Sequence, residues 1–449
     1  MLSKKLHQEI YFCALAYLCF SVPFMSKLLP FTLGLGVLLL NWIVEGELLL
    51  KVKKSVSTPW VLLFVVFYLL HLFSASYSIN HAEAHRDLIL KLPILLLPLV
   101  LPAIALSSKQ KNKLFGFWII ACMLMSCWLL LQAYFSYVET GLVKSWFYTD
   151  LASARHPAYF SMYCVTAIIL LHTQKLKKRV LFLVQMLLMI MVLLLSSRMQ
   201  LLALGGVLVI FLSRKLLFDR SKSVLSLVLT VLVSSIFVIS NETIQKKSRI
   251  VKIQDELSQT FFDGGESVRT MIWKNSIDII GSSWFLGFGV GCENEELNKH
   301  LQTKVSLTQD GERLLTEQKR GDSKLMEVLA KTAKMNNVSI DQTLEGYVRW
   351  KMIKDSGNPY DKFYMHHYNY HNQFLQSWAT SGILCLLVLM LIFFHLVRKG
   401  LVEKNYLILS IALLVAMSFL SESMLERQYG VIYFTLVLGL LFTPESKHA

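Results

Sequence analysis

Charge, proline and paired cysteine are all scarce in this chain. Only 17% of its 449 residues are charged and 9 are proline, whereas 54% are hydrophobic. A mean hydropathy of +0.51 excludes a disordered polypeptide, which needs low hydrophobicity and high charge, and it is far from the balance of an ordinary soluble domain. The 7 cysteines form no disulfide framework. Cys13, Cys19, Cys122, Cys127, Cys164 and Cys385 lie inside apolar runs and read as small packing residues; Cys292 stands alone in a polar segment. Alternating ten-residue strands are absent, which argues against a membrane β-barrel. There is no HExxH, no DxD, no internal repeat and no low-complexity tract.

What the chain does have is long apolar runs. A run of about 18 or more such residues matches a membrane-crossing helix, and in lipid only helices or closed barrels satisfy the backbone. The fold expected is therefore an all-α polytopic membrane protein with about twelve spans, near 10–29, 31–50, 59–76, 88–106, 114–136, 157–173, 180–197, 199–213, 223–240, 372–396, 405–421 and 428–443. The first run lacks a small-residue cleavage site and is followed at once by another, so it reads as a retained helix. Alternate turns are basic: Lys51, Lys53 and Lys54; Lys109, Lys111 and Lys113; Lys175, Lys177, Lys178 and Arg179; Arg214, Lys215, Arg220 and Lys222; Arg398, Lys399 and Lys404. The positive-inside rule then predicts both termini inside.

That orientation puts residues 241–370 outside. The expected organisation is nine spans over 1–240, an outer helical domain over 241–370 and three spans over 371–449. The outer segment carries 18 Lys+Arg and 18 Asp+Glu, so the net charge of +15 belongs to the membrane half. It acts as an orientation signal with some attraction to anionic lipid, not as a nucleic-acid surface. Within the outer segment, 266–281 reads as an amphipathic helix with a stripe of Val268, Ile272, Ile277 and Ile280. The glycines of Gly287-Phe288-Gly289-Val290-Gly291 break the chain, and 294–355 reads as charged helices forming a lid or partner surface.

Three residues stand out as candidates for chemistry. Arg198, at the outer end of the seventh run, is either a snorkelling anchor or an anion clamp, because its planar fork fits phosphate oxygens; Ser196 and Ser197 could cap the following helix. Arg269 lies four residues before Trp273 and shares a helix face with it, either stacked on the ring or turned to a ligand. His371 stands where the last long polar segment meets an apolar run. If that helix starts near His371, Gly382 lies about three turns on along the same face, and Gly382 and Cys385 would let a neighbouring helix approach closely. An imidazole there can take a proton near neutral pH. Arg155 and His156, beside Pro157, offer a second basic site. His366, His367 and His371 invite a metal reading, but a nearby carboxylate is supplied only by Asp361, so neither a metal nor another cofactor is expected.

These motifs resemble the O-antigen ligase/polymerase family of bacterial membrane glycosyltransferases, and most closely its O-antigen ligase (WaaL) branch. That branch has His, then Asn, Ser or Gln, nine residues, Gly, two residues, and Gly, Thr or Tyr. This chain has His371-Asn372, nine residues, Gly382, two residues, and Cys385 at the departing position. Ser197-Arg198 resembles the family's Ser-Arg step, and Arg269 through Trp273 to the three glycines resembles its outer-loop stretch. The resemblance implies a GT-C-like fold in the bacterial inner membrane with its active site on the periplasmic face. It implies a donor glycan on undecaprenyl diphosphate and a lipid A-core or other glycan acceptor. Arg198 and Arg269 would hold the diphosphate, His371 would act on the attacking hydroxyl, and Arg155, His156, Asn372 and Trp273 would contact substrate. Neither ATP nor metal would be required. Polymerisation of lipid-linked repeats, ligation to protein and transport of lipid-linked sugar are the competing readings.

Overall fold

A computed structural model describes residues 3–24, 29–104, 106–153, 155–195, 197–217, 268–336, 338–364 and 367–443. Among them there is no β-strand, and the all-α expectation is met. The helices are α1 (Lys4–Ser21), α2 (Leu29–Val44), α3 (Leu48–Val56), α4 (Pro59–Ser76), α5 (His81–Val100), α6 (Ser108–Thr140), α7 (Tyr148–Ala152), α8 (Pro157–Leu171), α9 (Lys178–Leu195) and α10 (Arg198–Leu217). They are followed by α11 (Val268–Ser282), α12 (Glu293–Gln302), α13 (Gln309–Arg320), α14 (Ser323–Asn336), α15 (Ile340–Asp355), α16 (Gln373–Val402), α17 (Tyr406–Ser421) and α18 (Gln428–Phe442).

Four of these helices, α4, α6, α9 and α16, are long and apolar enough to cross a membrane by themselves. A fifth candidate is the pair α2 and α3 taken together, bent by 115° at the break. The run at 31–50 is thus not one straight helix; it turns at Gly46 and Glu47, both with positive φ. Helices α8, α17 and α18 and the first four turns of α10 are shorter apolar helices, and the expected span at 223–240 lies outside the described residues. Together the apolar helices mark a membrane protein. One large core runs through them, from Tyr11 and Phe64 to Phe160, Leu414 and Phe434. In it α16 packs on α4 and α17, and α17 packs on α10 and α8. Cys19, Cys122, Cys164 and Cys385 are buried in the bundle as expected of packing residues, while Cys13 and Cys127 are exposed.

The 294–355 stretch is helical, as its charge pattern predicts. Helices α13, α14 and α15 close over a small core of Leu329, Leu344 and Val348. A second core joins α11 and α12 to the start of α16 through Met271, Ile272, Ile280, Leu297, Leu301, Phe363 and Tyr370. The expected stripe on α11 is shifted. Its buried face is Met271, Ile272, Asn275, Ser276 and Ile280, and Ile277 points to the exterior. Asn275 and Ser276 are accepted inside because each bonds back one turn, to the carbonyls of Met271 and Ile272.

Helix α16 departs most from the sequence reading. It is not continuous: Ser381 and Gly382 leave helical geometry, with Gly382 at φ 76° and ψ −176°. His371 and Gly382 therefore do not share one helix face, and His371 lies before the helix starts. What approaches Gly382 is the loop after α11, not a neighbouring helix. The break frees two carbonyls and an N–H that must find partners, and the loop supplies them. Phe288 N–H donates to Ala379 O at 2.7 Å, Gly289 N–H to Thr380 O at 3.1 Å, and Ile383 N–H to Trp284 O at 3.0 Å. The crossing requires glycine on both sides: a Cβ on Gly287 would sit 2.6 Å from Ala379 O, and one on Gly382 1.8 Å from Phe285 O. The loop continues against the turn between α4 and α5, where Ser78 Oγ donates to Val290 O at 2.7 Å.

Candidate functional site

The ordering of His371 begins with its neighbours. Tyr370 is fully buried in the second core; its carbonyl accepts from Trp273 Nε1 at 3.1 Å, and its hydroxyl donates to Glu293 O at 3.1 Å. Asn372 is the N-cap of α16, its Oδ1 accepting from the N–H groups of Phe374 at 2.9 Å and Leu375 at 3.1 Å, which stabilises a helix start. Between these two anchors His371 takes φ 47°, a left-handed conformation uncommon for a non-glycine residue but one that histidine adopts more readily than most. Asn369 Oδ1 holds its N–H at 3.1 Å.

The imidazole faces the end of α17. His371 Nδ1 lies 3.5 Å from Glu422 Oε2, and Arg269 Nη2 lies 2.7 Å from Glu422 Oε1. One carboxylate thus bridges two residues that are 102 positions apart in the chain (371 − 269). Burial works to raise the Glu422 pKa, but His371, Arg269 and His156 together overcome it and hold the carboxyl below its ordinary value. Glu422 therefore stays charged.

Arg198 opens α10. Gln200 Nε2 donates to Ser418 Oγ at 2.8 Å, and a Cβ on Gly206 would meet Leu413, so α10 and α17 run antiparallel. That register sets the start of α10, with Arg198, level with the end of α17, where Glu422 stands. Ser197 is buried beside it, and Ser196 lies outside the described residues.

Arg155 and His156 precede α8 and line a cleft with Pro23, Tyr159, Phe160, Tyr163 and Tyr429. Arg155 Nη2 donates to Phe24 O at 3.2 Å. Arg155 Nε and His156 Nδ1 are buried with no hydrogen-bond partner among the described residues. Burial pulls the His156 imidazole below the ordinary histidine value against the attraction of Glu422. The structure thus groups His371, Arg269 and His156 around Glu422, with the start of α10 at the same level of the bundle. Asn372 and Trp273 serve this group from behind, through the cap and the Tyr370 carbonyl. His366, one of the three candidate metal ligands, lies outside the described residues.

A set of charges that the sequence reading does not reach sits behind these residues. Lys91 is fully buried on α5, 2.5 Å from Asp87 Oδ1 and 3.0 Å from Glu426 Oε1. Glu293, also buried, accepts from Gly291 N–H at 2.8 Å and Gln376 Nε2 at 3.0 Å. Gln376 Oε1 in turn accepts from Ser423 Oγ at 3.1 Å, and Gln373 Oε1 from Leu425 N–H at 2.6 Å. The network ties the glycine loop, the first turns of α16 and the α17–α18 turn into one support. Burial pushes the Glu293 and Glu426 carboxyls well above their ordinary range. The signals in the sequence are a lysine inside an apolar run, which is costly unless paired, and two carboxylates in the short turn between the last two apolar runs.

In comparison with known proteins, residues 181–329 match the family model described as O-antigen ligase. The match takes in Arg198, Arg269, Trp273 and the three-glycine loop, and it bears out the resemblance carried by the motifs. His371 and Glu422 follow it in the chain. No curated protein matches the sequence.

Proposed function

We propose, for a helical membrane protein whose 181–329 stretch matches the O-antigen ligase family, that it transfers a glycan from undecaprenyl diphosphate to a sugar hydroxyl of lipid A-core oligosaccharide. The reaction takes place on the periplasmic face of the bacterial inner membrane. About twelve helices span that membrane with both termini inside, and 241–370 forms the outer domain. The observation that carries the reading is Glu422, with His371 on one carboxylate oxygen and Arg269 on the other.

In this reading Glu422 fixes the Nδ1 side of the imidazole, leaving Nε2 for the acceptor. The acceptor hydroxyl attacks the anomeric carbon and gives its proton to His371, as a general base within hydrogen-bond reach does. The bond from that carbon to the diphosphate oxygen breaks, and the lipid diphosphate leaves with the electron pair. Arg198 and Arg269 stabilise the charge that develops on it; their guanidinium forks suit phosphate oxygens better than a lysine point charge. Arg155 and His156, with unsatisfied buried nitrogens, add a further polar contact for donor or acceptor. A single displacement inverts the anomeric centre, and the bond energy comes from the donor.

A second reading, a polymerase joining lipid-linked repeats, is favoured by Cys385, which stands where the ligase pattern has Gly, Thr or Tyr. One experiment tests both. The purified chain in proteoliposomes, with EDTA present, receives lipid-linked glycan and either lipid A-core or a second lipid-linked repeat. Glycan on lipid A-core supports ligation, and chain growth on the second repeat supports polymerisation. His371→Ala should abolish either product by about 10²–10⁴-fold while leaving the amount of membrane-inserted protein unchanged. Full transfer by that variant removes His371 as the base.

A further inference from the structure

The loop between α11 and α12 presents three consecutive large apolar residues to the exterior: Trp284 is 54%, Phe285 50% and Leu286 46% exposed. They are held in place by their backbone. Trp284 O accepts from Ile383 N–H at 3.0 Å and from Trp378 Nε1 at 2.9 Å, and Leu286 O accepts from the Tyr77 hydroxyl. The two rings meet edge to face at 5.4 Å. A polar loop tip facing water does not call for such a triplet, and a well-ordered exposed apolar patch marks a contact surface.

The position of the triplet identifies the contact. Below it, Leu384, Leu387, Leu391, Phe394, Val397 and Leu401 on α16 are all exposed. Their spacing of three and four places them on one helix stripe. On α4, which packs beside α16, Leu62, Leu69, Leu72 and Phe73 are likewise exposed. Both stripes run up to the break at Gly382 and to the turn after α4, the two places where the loop is fastened. Ile79, 92% exposed, adjoins the loop in that turn. From Ile383 to Val402 the second part of α16 rises about 30 Å, the thickness of a hydrocarbon core; Arg398 and Lys399 lie toward its far end, where long basic side chains can snorkel. The triplet therefore sits at the upper edge of a continuous apolar surface, at the depth where amphipathic aromatic rings gather.

We propose that Trp284, Phe285 and Leu286 enter the lipid leaflet on the His371 side. There they moor the three-glycine loop, and with it the N-terminal turns of α16, at the headgroup boundary. The proposal rests on the membrane setting of the proposed function but not on its chemistry.

The test compares tryptophan quenching of the full chain with that of Trp284→Phe in nanodiscs containing phosphatidylcholine brominated either near the headgroup or toward the chain end. The difference between the two proteins isolates Trp284. The expected result is loss of a bromolipid-quenched component in the variant, larger for the shallow bromines, with the iodide-quenched share unchanged. A difference signal quenched by iodide and not by bromolipid puts the loop in water and overturns the proposal. One reached by neither puts the loop against protein and overturns it as well. His371→Ala should quench like the unaltered chain, so failure of the glycosyl-transfer reading would not alter the outcome.

Discussion

Replacing Gly382 with alanine separates the structure from its motif more sharply than any other change. If this glycine merely allowed a neighbouring helix to come close, an added methyl would cause a modest packing adjustment. The structure demands more. At φ 76° and ψ −176° the residue occupies a region that is essentially glycine-only, and forcing a side chain there costs about 1–3 kcal/mol. The new Cβ would lie 1.8 Å from Phe285 O and 2.5 Å from its carbonyl carbon. An ordinary carbon–oxygen contact is about 3.3 Å, so the loop has to retreat by about 1.5 Å. Retreat breaks the bonds of Phe288, Gly289 and Ile383 across the crossing, each worth roughly 1 kcal/mol. The total is about 4–6 kcal/mol of local stability. The same loop leads through Gly291 and Glu293 to Gln376, one turn past the cap beside His371. A displacement of about 1 Å at a reacting centre can lower the rate about 10²-fold. Gly382→Ala should therefore be cut faster by protease between α11 and α12 and should lose glycan transfer in proteoliposomes. Gly281→Ala, whose Cβ meets nothing within 4 Å, is the matched control. Wild-type proteolysis and wild-type transfer by Gly382→Ala would refute the crossing as the reason for this glycine.

Other changes probe the charges. Arg198→Lys and Arg269→Lys should each lower transfer by about 10–10³-fold, since a point charge does not replace a fork; unaltered rates in both would return the two arginines to the role of anchors. Lys91→Met leaves Asp87 and Glu426 buried without their cation, an uncompensated loss of about 3–5 kcal/mol. It should lower the Tm markedly, with partial recovery in Lys91→Met/Glu426→Gln, and an unchanged Tm would show that the cluster is hydrated. The pH dependence has two arms. Glu422, held low, contributes stability that is present above the ordinary carboxylate pKa and lost as pH falls through its lowered value. Glu293 and Glu426, held high, retain protons that the unfolded chain has released, so their contribution declines as pH rises from the ordinary carboxylate range through their raised values. Glu293→Gln should flatten the alkaline arm of a Tm-against-pH profile, and an identical slope would remove Glu293 from it.

Local sequence made the helices legible, since apolar runs fold to helices wherever the backbone must satisfy itself. It also pointed to Arg269 and His371, which the structure joins through Glu422. Glu422 itself escaped because its meaning lies in partners far along the chain; in its own turn it is one of two acidic residues between two apolar runs. The break in α16 escaped for a related reason. Ser381 and Gly382 sit inside an apolar stretch with helical periodicity on both sides, and the break exists only because another segment crosses there. Ile277 was misplaced on α11 because the buried face accepted Asn275 and Ser276, whose polarity is masked by bonds to the preceding turn. The bend at Gly46 was hidden by the apolar residues that continue beyond it.

Arg269 already has an anion. Because Glu422 lies 2.7 Å from its guanidinium, any phosphate that engages this arginine must share it with, or take it from, a tethered carboxylate. Such an internal competitor sets a threshold for occupancy. Inorganic phosphate and other small free anions face that competition with no further hold on the protein. In the proposed reaction, a diphosphate anchored by its own lipid tail would arrive at high local concentration and would meet Arg198 as well. If the proposed donor binds here, selectivity for a membrane-bound diphosphate over the anions of the surrounding solution would follow from a carboxylate placed beside the arginine that engages it.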